Sequence, residues 1–294
     1  MQNFITRSSR SWMTWISVSV MIAVLAGCSA ARLAYSNGET LSYWWMNSYV
    51  DFDSDQKPWV KKEIAALFAW HRKTQLETYI PFLRHAQKRV QGHVGEADLL
   101  ADYEDAKKRM LLLADQALPQ LADLALSLDE EQIAHIEKKF ASNNEDYRKD
   151  YLRGDLEDRQ EFRFKKLRKQ VEYWFGNFNR EQEKALRIAS DRRPLNNELI
   201  MASRLQRQKA LIAMLKKMHA ERPSREQAMG MIKEYIHAAL DRFGNPEHKK
   251  FFEANRLEMI RIVAGIVNNA TPEQKEHFLH ATQQWINDFD ALAL

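Results

Sequence analysis

The sequence predicts an all-α protein, an elongated bundle of about eight or nine helices, and three observations lead there. The 294 residues include only 9 Gly and 7 Pro, about 5% of the chain against a typical ~12%. A β-sandwich or a Rossmann sheet needs more turn glycines than that. Ala, Leu, Lys, Glu, Gln and Arg dominate, and these are the strong helix formers. Apolar residues recur at steps of three and four, as in Leu99, Tyr103, Ala106, Met110, Leu113 and Ala117. No segment shows the period-2 alternation of a half-buried strand.

The N-terminus is a targeting segment. Arg7 and Arg10 carry positive charge, and no acidic residue precedes Glu39. An apolar run follows from Trp12 to Leu25, roughly 14 residues and short of the ~20 that span a bilayer. Leu25-Ala26-Gly27-Cys28 closes it, and Cys28 is the only cysteine. This stretch resembles the lipobox of exported bacterial lipoproteins. The resemblance implies cleavage before Cys28 and acylation of its thiol and new amine. With Ser29 rather than Asp in the next position, it also implies sorting to the outer membrane of a Gram-negative bacterium, facing the periplasm. The alternative is an uncleaved anchor with an incidental cysteine. Residues 1–27 are thus read as a signal peptide, 28–38 as a lipidated tether and 39–294 as a helical periplasmic domain. Two or three acyl chains hold a membrane far better than the single chain that gives marginal binding.

Removing Arg7 and Arg10 with the leader takes the formal charge from +4 to about +2. That is a mixed-charge surface, and it argues against a nucleic-acid partner. No thiol is left for a disulfide, so packing alone must stabilise a mature chain long enough for a sizeable core.

The elements follow in order. A helix at 39–50 carries Tyr43, Trp44, Trp45 and Tyr49, with Tyr35 just before. These rings either meet the membrane interface or pack inward, and the second reading is preferred. Asp53-x-x-Gln56 opens a helix over 54–91, and Gly92–Gly95 marks a turn. The stripe from Leu99 to Ala117 lies in a helix over 96–126. Asp129-x-x-Gln132, flanked by Leu128 and Ile133, opens 129–153 with a capping box and a staple. The helix at 156–176 stops at Gly176. Asn179-x-x-Gln182 opens 180–218, and Ser224-x-x-Gln227 opens 224–242. Pro246 and Pro272 sit at first helical positions of 246–269 and 272–291, the latter behind Thr271-x-x-Gln274. Pro81, Pro119 and Pro194 are expected to kink or break long helices. The boxes are irregularly spaced, so this is no solenoid. A sub-boundary at 221–223 would set the last three helices apart.

No catalytic motif is visible: no Gly-rich phosphate loop, no H-E-x-x-H and no G-x-S-x-G elbow. Glu234-x-x-His237 is half of a di-iron motif without its second copy, and His277 with His280 lacks a third ligand. No metal and no cofactor is expected. Arg159–Lys169 is rich in cations and could face anionic headgroups, lipopolysaccharide or nucleic acid, but Glu161 lies four residues before Lys165, and a solvated, ion-paired helix is the preferred reading. Trp70, Arg72, Glu172, Trp174 and Arg193 form a candidate polar site lined by indoles, or else a structural network between helices.

Several of these residues carry a resemblance. Arg32-Leu33-Ala34-Tyr35, Tyr43-Trp44-Trp45 through Tyr49-Val50-Asp51, Trp70-His71-Arg72, and Glu172-Tyr173-Trp174-Phe175-Gly176 followed by Gln182 resemble a family of uncharacterised proteobacterial lipoproteins. That family has no assigned activity, so the resemblance implies an address and a fold. More loosely, Leu128–Gln132 and Ala270–Gln274 are similar to the Leu-Thr-x-x-Gln signature of small periplasmic stress chaperones of the Spy type. The expectation is a non-catalytic, lipid-anchored binding or accessory protein with an envelope protein partner. The alternatives are a chaperone-like binder of unfolded envelope proteins and an enzyme acting on envelope polymers.

Overall fold

Helix formers at nearly every position give twelve α-helices and one 3-10 turn in a computed structural model that describes residues 30–293. No strand occurs among the described residues. In order they are α1 Ala30–Ser36, α2 Gly38–Val50, α3 Gln56–Thr74, α4 Leu76–Val90, α5 Glu96–Ser127 and α6 Glu130–Tyr151. There follow α7 Leu156–Phe175, α8 Arg180–Arg192, α9 Asn197–Glu221, α10 Arg225–Leu240, α11 Pro246–Asn268 and α12 Pro272–Ala293, with the 3-10 turn Arg242–Gly244 between α10 and α11. The signal peptide and Cys28 lie outside the described residues.

Twelve helices replace the expected eight or nine for three physical reasons. The presumed tether is itself helical as α1. The span 180–218 divides because Arg193, preceding Pro194, is pushed to extended backbone with ψ 136°. The span 54–91 divides at Gln75, whose carbonyl is claimed by the Thr78 amide and hydroxyl at 2.9 and 2.7 Å. Pro81 sits inside α4 and has no N–H to return. Pro119, by contrast, leaves α5 unbroken. Leu118 and Ala122 on either side are buried, and that packing offsets the one lost bond.

All five expected capping boxes form with reciprocal bonds. Four of them then interlock in pairs. Gln132 Nε2 donates to Gln56 Oε1 at 2.6 Å, and Gln56 Nε2 donates back to Gln132 Oε1 at 3.2 Å. Gln132 Nε2 also donates to the Asp51 carbonyl, and Gln56 Nε2 to that of Ser127, both at 3.3 Å. Gln182 and Gln274 repeat the arrangement, with amide bonds of 2.8 and 3.0 Å and donation to Asn269 and Asn177. In every case the carbonyl lies two residues before the partner's capping residue. Each amide therefore satisfies its oxygen twice and its nitrogen twice, which is what a buried polar pair requires.

One interlock stands in each of two apolar cores. The first core draws Phe52, Val60, Ala122, Ile133, Met218 and Ala228 from α3, α5, α6, α9, α10 and the α2–α3 loop. Met218 and Ala228 bring both sides of 221–223 into it. The second draws Val90, Leu167, Val171, Phe175, Ile262 and Val267 from α4, α7 and α11, with Phe278 of α12 packed against it. α12 lies along α4 as the most extensive helix pairing. α1 is fixed to α12 by the ion pair of Arg32 with the buried Asp288, 3.2 Å.

The aromatic segment packs inward only in part. Tyr43 and Tyr49 pack on the first core. Trp44 and Trp45 are 63% and 65% exposed, and with Leu33 and Leu41 they form one helical face turned outward from α1 and α2.

Candidate functional site

Apolar positions three and four apart on α4, α7 and α11 face one another across the second core. Between them, with α12 closing one side, lies an open cavity of about 870 Å³. Ala86 of α4, Leu167 and Val171 of α7, and Val263 and Ile266 of α11 line it, with Trp174 and Phe278 at one end. Its size lies within the ~300–1,000 Å³ of small-molecule sites. Its polar lining is sparse: Arg89, Asp102, Lys166, Lys169, Gln170 and the buried Thr282. Arg89 is tied to Asp102, whereas Lys166, Lys169 and Gln170 run along one exposed face of α7. Among the described residues no carboxylate pairs with Lys166 or Lys169; Lys166 donates to the Tyr151 hydroxyl at 2.7 Å.

A second cavity of about 340 Å³ shares a wall with the first, made of Lys166, Leu167, Gln170 and Met259. Arg159, Arg163, Lys166 and Arg193 line it, and among the described residues no carboxylate does. Arg163 gathers the last carbonyls of α8, donating to Ser190 at 2.6 Å and to Arg193 and Pro194 at 3.1 Å each. That is the usual service of a cation at a helix C-terminus. Arg193 donates to Asn255 at 2.9 Å. Burial first, and then the neighbouring Arg193, lowers the pKa of Arg163; burial lowers that of Arg193. The Nε groups of Arg159, Arg163 and Arg193 are buried and have no hydrogen-bond partner among the described residues.

The five residues singled out from the sequence are distributed over the molecule. Trp174 lines the large cavity and Arg193 the small one. Glu172 lines neither, and joins Arg168 and Glu183 in an exposed ion-pair group. Arg72 pairs with Glu39 between α3 and α2. Trp70 sits beside His71, at one end of a run of rings that reaches Trp174. Trp174 meets Trp285 at 6.4 Å, Trp285 meets Phe289 at 5.6 Å, Phe289 meets Tyr79 at 5.7 Å, and Tyr79 meets His71 at 5.6 Å. The indoles thus belong to a packing network across α12.

His71 bridges the hydroxyls of Tyr35 and Tyr79 at 2.8 and 3.0 Å, and burial lowers its pKa from 6.5. A histidine depressed in the folded state contributes stability that is complete above its unfolded value and lost as pH falls through the folded one. The urea midpoint is therefore expected to fall on acidification below about pH 6.5. His71→Gln should lose less over the same window. Equal pH dependence of the two proteins counts against this role.

Reasoning from the sequence missed Lys166, Lys169 and Arg163 as cavity residues. The signal was present: Arg159, Arg163, Lys166 and Gln170 step by four, three and four, one helical face. The Glu161–Lys165 pair, 3.4 Å, does form, but on another face of the helix. His277 Nδ1 lies 3.1 Å from the Trp174 carbonyl. Among the described residues no three of His, Cys, Asp and Glu converge as a metal site, and no helix is long and apolar enough to cross a membrane.

Residues 48–233, more than half of the chain, match the family of unknown function DUF6279, and the chain belongs to that family. No curated protein and no solved structure matches it.

Proposed function

We propose that this chain is a lipid-anchored protein of the bacterial envelope that binds a ligand and does not transform it. The observation that carries the reading is the open apolar cavity of about 870 Å³ between α4, α7, α11 and α12. An open apolar cleft of this size leaves apolar side chains against water unless something covers them, and its lining is suited to an apolar molecule of drug or lipid size. The outer-membrane address rests on the lipobox at Cys28. It is supported by the outward apolar face of Leu33, Leu41, Trp44 and Trp45, which begins five residues after that cysteine. Indoles beside an acyl anchor sit well at a headgroup boundary.

The test is a titration of the folded mature chain with the apolar fluorophore N-phenyl-1-naphthylamine. One saturable site is expected. Ala86→Trp and Val263→Trp, each placing a ring in the cavity, are expected to weaken it at least tenfold with helix content unchanged. Absence of saturable binding, or wild-type affinity in both variants, would falsify the reading.

A further inference from the structure

The binding reading leaves open the ligand, and the second cavity answers that; this inference rests on the first cavity being a binding site. We propose that the two cavities together take one anionic single-chain amphiphile. Its acyl chain lies in the apolar cavity, and its carboxylate or phosphate lies among Arg163, Lys166 and Arg193.

Three observations support this. The cavities are separated only by the side chains of Lys166, Leu167, Gln170 and Met259. An amphiphile passing Lys166 therefore reaches both without crossing a helix. The charge is one-sided: Arg159 is already paired with Glu198 at 2.7 Å, but Arg163, Lys166 and Arg193 share the wall of the smaller cavity with no carboxylate among the described residues. Cations gathered against one another in a half-buried place are unfavourable until an anion joins them. Unused donor capacity is also present: among the described residues the Arg193 guanidinium makes one hydrogen bond, from Nη2 to Asn255. Guanidiniums suit planar carboxylates and phosphates through several donors at once. Arg163 already caps α8 with its Nη atoms. Lys166 and Arg193 are thus the two cations whose removal tests charge without uncapping a helix.

The experiment displaces bound N-phenyl-1-naphthylamine with palmitate, with 1-palmitoyl-lysophosphatidylglycerol and with hexadecanol, which has the same chain and no charge. At least one anion is expected to bind about tenfold or more tighter than hexadecanol, the size of one charge-assisted contact. Lys166→Gln and Arg193→Gln are expected to remove most of that preference, read as the ratio of anion to hexadecanol affinity. The tighter of the two anions says whether the head is a carboxylate or a phosphate. Hexadecanol binding as tightly as both anions, a preference that survives in both variants, or displacement by none of the three overturns the amphiphile proposal and leaves the cavity a binding site. Failure of the fluorophore to bind is the different result that removes the binding reading itself.

Discussion

Gln132→Ala is expected to lower the stability of the fold by about 3 kcal/mol, measured as a fall in the urea midpoint at unchanged slope. Gln132 is 6% exposed and makes four bonds that its neighbours cannot replace. Its oxygen accepts from the Asp129 amide and from Gln56 Nε2; its nitrogen donates to Gln56 Oε1 and the Asp51 carbonyl. Losing the helix-start bond costs about 1 kcal/mol. Removing two bonds from the buried Gln56 amide, which keeps those to Ser127 and the Asp53 amide, costs about 1–3 kcal/mol more. Gln227 provides the contrast, since its side chain completes a capping box at Ser224 on an exposed helix start and pairs with no other box. Gln227→Ala is expected to cost under about 1 kcal/mol. In a double-mutant cycle, Gln56→Ala on top of Gln132→Ala should add clearly less than it costs alone. Additive costs would show that the two boxes are independent caps and that the interlock contributes nothing of its own.

The same residues show how far the sequence could be read. The five boxes were visible because a cap and its Gln three residues on are a local pattern, and local bonds decide helix starts. That Gln56 meets Gln132, and Gln182 meets Gln274, was not visible. These contacts join positions 76 and 92 residues apart, and only the tertiary fold, which brings the starts of α3 and α6 and of α8 and α12 together, creates them. Pro194 announced its break through the residue before it, but the break at Gln75 carries no Gly or Pro, and Pro119 announced a break that packing overrode. The cavity was equally hidden, because it is the space between three helices, each of which reads as an ordinary amphipathic stripe. Charge counting also misled at Arg163. A cation-rich segment with interspersed acids reads as solvated, yet a helix presents a different face at each step, and the 159–163–166–170 face turns toward α8 and α11. Trp44 and Trp45 show the converse: adjacent to core residues in sequence, they point outward because neighbours on a helix lie about 100° apart.

The lipid anchor is expected to account for all of the membrane association, and the loss on removing it should be complete. A chain carrying Ser at position 28, exported behind a leader that is cleaved without lipidation, is expected wholly in the soluble periplasmic fraction. The lipidated chain is expected wholly with outer membranes. The size of the effect follows from the anchor: one acyl chain binds a bilayer with a constant of only about 10⁴ M⁻¹, and each further chain adds about 0.8 kcal/mol for every methylene it buries. Two exposed indoles on α2 cannot supply that. Under the proposed anchoring their expected part is orientation. Trp44→Ser with Trp45→Ser on the lipidated chain should leave it membrane-bound, because the acyl chains remain. The same pair of changes should weaken quenching of the chain's tryptophan fluorescence by brominated acyl chains in reconstituted vesicles. With α1 fixed to α12 by Arg32 and Asp288, an anchor at Cys28 constrains the α4–α12 side of the second core relative to the bilayer, and that core holds the cavity. If the unlipidated chain instead sediments with outer membranes and resists a salt wash, a protein surface is gripping a membrane partner. The binding function would then have to be sought on that surface, starting from Leu33, Leu41, Trp44 and Trp45.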